Sequence, residues 1–305
     1  MKNKVLIGSL ITTLLAFMLY SVNIKRVENS QVQIVNQKNT TNKSKGKTAH
    51  EPKMAAVEYP NHIKVASGSN QNWSKQIEKV MGKDQSYQVS VQDLNSGKFA
   101  RVSNTAKAHE VGATGNLFLL AAIYYQEQHG KLSDHTAIKV KKADRAKGEK
   151  MLKPGIAYGV TFLKQTLMRK NKTAGNALTR KVKPAKINEV AHKMGATNTK
   201  FGEHYSAGPV ATTTAADLAA VMNNLYQNKT LNRQYANMAL GSLSLTGKKP
   251  KIVAQTNGAT IYAIGDSRAN VALVQSHGHA YCVSVWASSD RSFSNLGKTV
   301  NGFFK

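Results

Sequence analysis

The stretch VGATGNLFLLAAIYYQEQHGKL, residues 111–132, constrains the fold more than any other part of the chain. From Leu117 to Tyr125 it is apolar around the whole helical circumference, so a helix built there has no face to give to water. It must stand in the middle of a domain and run out to a surface turn at Gly130-Lys131-Leu132. The four residues where it begins, Ala113-Thr114-Gly115-Asn116, carry no obvious reactive chemistry. A chain of 305 residues with 41% apolar side chains can supply the layers that cover such a helix. They must hold by packing alone, because Cys282 is the single cysteine and no internal disulfide can form. Lying in the apolar run AYCVSVW, Cys282 reads as a small core residue.

The segments on either side of that helix set the class. Trp73, Ile77, Val80 and Met81 recur at helical spacing and predict a first helix over 73–81. YQVSVQDLNSGKFARVS alternates about Asn95-Ser96-Gly97, which predicts a hairpin of two strands. Residues 113–245 read as helical. Within them Pro184 suits a first helical turn and Gly195 the end of that helix. Thr214 to Asp217 gives a capping-box-like start to TAADLAAVMNNLY. Strand-like stretches follow at KIVAQTN (251–257), ANVALVQ and AYCVSVWA, the last two joined by a turn at Ser276-His277-Gly278-His279. A closing helix spans about Ser294 to Phe304. The order predicts an α+β fold: a five-stranded antiparallel sheet flanked by terminal helices, with an inserted all-helical region.

The first 65 residues are different in kind. Residues 1–22 carry Lys2 and Lys4 and then an uncharged run, Val5 to Val22. At about 1.5 Å rise per residue the run reaches roughly 27 Å, enough to cross a bilayer core. No small-x-small cleavage pattern closes it, so the expectation is a transmembrane anchor with the large domain extracellular; a cleaved signal and a secreted protein are the alternative. Residues 23–65, rich in Asn, Lys, Thr and Gln, are expected to form a basic disordered tether, leaving 66–305 as the folded domain. Net charge is +27, and +20 of it falls on residues 66–305. That excess calls for a polyanionic neighbour. With no nucleic-acid motif and only 7% aromatics, an anionic cell-wall polymer, teichoic acid or peptidoglycan, is the expected partner rather than nucleic acid.

Three segments then resemble the penicillin-recognising serine hydrolases, nearest to class A β-lactamases. That family starts its central helix with S-x-x-K, followed by an apolar run and a G-K-L exit, like residues 113–132. LMRKNKTAGNALTRKV (167–182) is similar to the segment that carries S-D-N followed by T-A-x-N. TTTAADLAAVMNNLY (212–226) resembles the helix after the Ω-loop, and VAQTNG (253–258) stands where the family has K-T-G before its final strand pair. The resemblance covers about residues 70–305 and implies a β-lactamase/transpeptidase-like fold. It also explains the residue types. Serine needs a base within hydrogen-bond reach, and a Lys one helical turn on supplies it. The Ser of S-D-N relays a proton to the leaving nitrogen, the Lys of K-T-G holds the substrate carboxylate, and an Ω-loop Glu positions the deacylating water.

Carried over position by position, the resemblance implies a vestigial cleft with every role vacant. The nucleophile position falls on Ala113 and the base on Asn116, whose amide cannot accept a proton at neutral pH. The S-D-N positions fall on Lys170-Asn171-Lys172, with Thr173-Ala174-Gly175-Asn176 keeping the flank. The K-T-G positions fall on Gln255-Thr256-Asn257, or one further if Gly258 is the family's glycine, and Glu203 is a loose Ω-loop candidate. The only Ser-x-x-Lys, Ser44 to Lys47, lies in the tether. The expectation is a pseudoenzyme with no catalytic residue, no metal and no cofactor. Lys170 and Lys172, with Thr256 across the cleft and no acid beside them, would hold a phosphate or carboxylate of the polymer; the alternative is that both point outward on a solvated turn. An active β-lactam or peptidoglycan hydrolase using unidentified groups is the alternative. Thr114 lacks a base on the neighbouring turn and reads as a helix cap. His277 and His279 share a strand face but straddle Gly278 in a turn, so they read as hairpin rather than metal ligands. Gly265-Asp266-Ser267 lacks the second glycine of a nucleophile elbow and reads as a turn.

Overall fold

The computed structural model describes residues 62–202, 211–244, 248–276 and 278–305. The apolar run at 5–22, nearly all of the tether, Ser44, Lys47, Glu203 and His277 lie outside the described residues. Among those described, no helix is long and apolar enough to cross a membrane. The chain runs β1 (Lys64–Val65), α1 (Gln71–Met81), β2 (Tyr87–Asp93), β3 (Phe99–Ser103), β4 (His109–Glu110) and α2 (Gly115–Gln128). It continues with β5 (Ala137–Lys139), β6 (Ala157–Gly159), α3 (Val160–Met168), α4 (Lys172–Val182), α5 (Pro184–Lys193), β7 (Lys200–Phe201) and β8 (Ala211–Thr213). Last come α6 (Ala215–Tyr226), α7 (Arg233–Leu243), β9 (Thr260–Gly265), β10 (Ala269–Ser276), β11 (His279–Ala287) and α8 (Phe293–Gly302).

Alternation along the strands explains the layering. In β11, Tyr281, Val283, Val285 and Ala287 point to one face, while Ala280 and Cys282 point to the other. In β10, Ala272 and Val274 oppose Val271 and Leu273 in the same way. Period-two side chains that are apolar on both faces require cover on both. The sheet, ordered β1-β3-β2-β11-β10-β9 and antiparallel throughout, is therefore the middle layer. One face carries the terminal helices: Trp73, Ile77 and Met81 form a stripe on α1, and Trp73 stacks on Phe303 just after α8 at 5.1 Å. The other face carries the helical block, with α2 at its centre. Every residue from Gly115 to Tyr124 is buried, as the apolar circumference demands.

Local signals account for the element ends. Asn70 caps α1 by accepting from the Trp73 N–H at 3.0 Å, and Thr214 caps α6 by accepting from the Asp217 N–H at 3.1 Å. Pro184 opens α5, where its missing N–H costs nothing. Cys282 is fully buried, and that burial pushes its thiol far above the ordinary range.

Three sequence expectations are corrected. The sheet has six strands rather than five, because Lys64 and Val65, placed at the end of the tether, pair with Ser103 and Val102. KIVAQTN is not a strand: Lys251–Val253 forms a single 3-10 turn, and the strand is the next segment, Thr260–Gly265. The Val253 N–H donates to the Pro250 carbonyl at 3.0 Å and the Ala254 N–H to the Lys251 carbonyl at 3.1 Å, bonds that close a tight turn and leave no ladder for a strand. The inserted region is not all helical, since it holds the small sheets β4-β8-β7 and β5-β6. The closing helix, expected over about 294–304, is present as Phe293–Gly302. Gly297 on that helix touches the Ile252 carbonyl so closely that an added Cβ would lie 1.8 Å from its oxygen. The 3-10 turn is thus clamped against α8.

Candidate functional site

Three segments converge at the head of α2: the 3-10 turn Gly112–Thr114, the bend between α3 and α4, and the turn from β9 into β10. The bend exists because Lys170 takes a left-handed conformation (φ 64°) and Asn171 then caps α4, accepting from the Ala174 N–H at 2.8 Å. From there the Lys170 ammonium donates to the Gly265 carbonyl at the end of β9, at 3.4 Å. The next residue, Asp266, reaches back across the same gap. Its Oδ2 accepts from the Ala113 N–H at 2.7 Å, while its Oδ1 accepts from the Arg268 and Ala269 N–H groups at 2.8 and 3.1 Å. The buried Asn270 amide donates to the Asp266 carbonyl at 2.6 Å and fixes the turn from behind. Gly112 is required beneath this carboxylate: its φ is +50°, and a Cβ there would meet Asp266 Oδ2 at 2.0 Å.

The side chains beside Ala113 are held by structural bonds. Thr114 is fully buried and donates its hydroxyl to the Val111 carbonyl. It makes no side-chain cap, which corrects that expectation. Asn116, also buried, donates its amide to the Leu167 carbonyl at 3.1 Å and so ties α2 to α3. The Asn176 amide donates to the Asp144 carbonyl at 2.8 Å. Lys172 and Thr173 present their backbone N–H groups to Glu149 at 2.6 and 2.7 Å, so this carboxylate meets the positive end of α4.

The predicted cleft is thus only partly assembled. Ala113, Asn116, Lys170, Asn171 and Lys172 stand around the head of α2. Gln255, Thr256 and Asn257 do not join them. Gln255 donates to the Ser294 hydroxyl at 2.8 Å, Thr256 is buried against the Tyr281 hydroxyl, and Asn257 is exposed. Tyr281 belongs to the core beneath the terminal helices, whereas Val111 and Leu117, on either side of Ala113, belong to the helical core. Thr256 is therefore not across a cleft from Lys170. The strand end that fills this place is Gly265-Asp266. Nor are the two lysines without a nearby acid, since Asp266 adjoins the carbonyl held by Lys170 and Glu149 sits under the Lys172 backbone. The sequence placed Asp266 in a turn, which it does form, but gave no sign of its bond to the Ala113 N–H. The one local signal was a glycine, Gly112, immediately before the nucleophile position. His279 opens β11 and is exposed, and no group of three or more His, Cys, Asp or Glu able to hold a metal occurs among the described residues.

The family model described as "Beta-lactamase enzyme family" matches residues 72–302. The chain belongs to the β-lactamase enzyme family. Solved structures agree in fold. The structure of PBP-A superposes with a TM-score of 0.69 at 17% identity, covering 77% of this chain and 96% of that one. The TLA-1 extended-spectrum β-lactamase gives 0.68 at 16%, covering 78% and 99%. The β-lactamase from Sphaerobacter thermophilus DSM 20745 gives 0.64 at 15%, covering 74% and 94%. No curated protein matches the sequence. At these identities the likeness establishes a β-lactamase fold, and the chemistry must be argued from the residues.

Proposed function

We propose that this β-lactamase-family protein does not hydrolyse its ligand, and instead serves as an envelope protein that holds an anionic polymer. The observation that carries the first half is the Asp266 carboxylate on the Ala113 N–H. Acyl transfer needs a nucleophile, a base and backbone N–H groups free to receive the developing oxyanion. Ala113 has no heteroatom, and the Asn116 amide is no base and is committed to Leu167. A carboxylate already occupies the Ala113 N–H, so an oxyanion forming there would face a second negative charge. All three requirements are unmet at one place.

Charge supports the second half. Residues 66–305 carry an excess of +20, beyond what solubility requires of one domain. Lys170 and Lys172 are exposed at the mouth of the bend. The envelope location rests on the apolar run Val5 to Val22, read as a membrane anchor. Binding to purified teichoic acid and to peptidoglycan is expected to weaken steeply as salt rises past about 0.15 M, where the Debye length is roughly 8 Å. Changing both Lys170 and Lys172 to Gln should cost more affinity than changing Lys43 and Lys45. Equal losses from the two pairs would show that net charge alone binds. Salt-independent binding, or none, would overturn the polymer reading.

A further inference from the structure

Among the described residues, the large apolar side chains that stand exposed are Met151, Ile156 and Phe162, at 57%, 46% and 43%. The short segments that carry them, 151–156 and the start of α3, are tied to one another through Tyr158. The Val140 N–H donates to the Ile156 carbonyl at 2.9 Å, the Lys153 N–H donates to the Tyr158 hydroxyl at 2.9 Å, and the Tyr158 ring stacks on Phe162 at 5.8 Å. The β5-β6 pair, its connecting loop and the first turn of α3 therefore form one face. The same segment sends Ile138, Val140 and Leu152 into the helical core. Its outward apolar residues are thus not surplus to a missing interior.

Around these three, every one of the seven Lys and Arg residues between Lys139 and Lys153 is exposed. The two acids of that stretch are engaged elsewhere: Asp144 is buried on Arg180, and Glu149 holds the start of α4. A dissolved polyanion would use the cations but gains nothing from Met, Ile and Phe left in water. A bilayer with anionic headgroups takes both, phosphates meeting the cations while apolar side chains enter the acyl boundary. We propose that this face docks on an anionic lipid bilayer, inserting Met151, Ile156 and Phe162 beneath a ring of lipid phosphates held by the 139–153 cations. The docking is independent of what the Ala113 turn binds, so either reading can fail alone.

The test uses the full chain carrying Met151→Cys, labelled with an environment-sensitive fluorophore; Cys282 is buried and does not compete. The label reports locally, whatever else attaches the protein to vesicles. On phosphatidylcholine vesicles containing about one third phosphatidylglycerol, a blue shift and protection from an aqueous quencher are expected. Pure phosphatidylcholine and soluble polyphosphate should give neither. Adding Ile156→Ser and Phe162→Ser should raise the lipid concentration at half-shift by about tenfold or more. Three results would each overturn the proposal: no shift on anionic vesicles, an equal shift on zwitterionic ones, or an equal shift with polyphosphate. The last would assign the face to a soluble polymer instead.

Discussion

Replacing Asp144 with Ala is expected to cost the folded state about 3–5 kcal/mol, measured as a lower urea midpoint at unchanged slope. The carboxylate is fully buried and grips Arg180 at both ends, Nε to Oδ1 at 2.8 Å and Nη2 to Oδ2 at 2.7 Å. The Lys141 N–H donates to Oδ2 as well, at 2.7 Å. These bonds pin the loop after β5 onto α4. Without the carboxylate, a partly buried guanidinium and a backbone donor lose their acceptor together, and leaving such groups unmet costs more than the bonds had contributed. Asp144→Asn keeps the shape and part of the bonding, so it should fall between. A loss under about 1 kcal/mol for the Ala variant would show that water replaces the carboxylate at little cost.

Glu127→Ala should be comparably damaging, yet the pair it breaks is expected to be dispensable. Lys164 donates to both Glu127 oxygens at 2.8 and 3.0 Å, and its ammonium lies 4.3 Å from the centre of the Tyr124 ring. Both side chains are about 95% buried. Burial pushes the Glu127 carboxyl above its ordinary range, and the hydrogen bond and charge of Lys164 only partly offset that. At this carboxyl, burial therefore outweighs the pull of Lys164. Removing Glu127 alone leaves a buried ammonium with Asp134 at 3.7 Å, and a loss of about 3–5 kcal/mol is expected. The double replacement Glu127→Leu with Lys164→Met should restore most of it. Chemical denaturation of the single and double variants checks both, and a double variant no more stable than Glu127→Ala would contradict the desolvation account.

The sequence made the fold legible where periodicity was strong. The all-apolar Leu117–Tyr125 run could only be a central helix, and the alternation of AYCVSVWA and YQVSVQD could only be strands covered on both faces. Elements of two or three residues, such as β1, β4 and β7, carry no period and were not seen. KIVAQTN misled because a short apolar pair such as Ile252-Val253 fits a covered strand and a buried 3-10 turn equally well. The site divided along the same line. Ala113, Asn116 and Lys170 to Lys172 come together because each is fixed to a helix terminus at readable spacing. Thr256 was misplaced by a strand drawn too early. Asp266 was legible as a turn residue but not as the partner of Ala113, because a hydrogen bond between residues 153 positions apart leaves no local pattern.

That bond stands at the centre of the functional account, and one experiment addresses it directly. The purified full chain is incubated with a penicillin in excess, and its intact mass is measured over hours. With Ala113 in place of a nucleophile and its N–H held by Asp266, the mass should stay that of the unmodified chain, and a chromogenic β-lactam should be hydrolysed no faster than in buffer. A stable gain of one penicilloyl unit, mapped by peptide fragmentation to a side chain of this chain, would contradict the account and name the nucleophile that it denies.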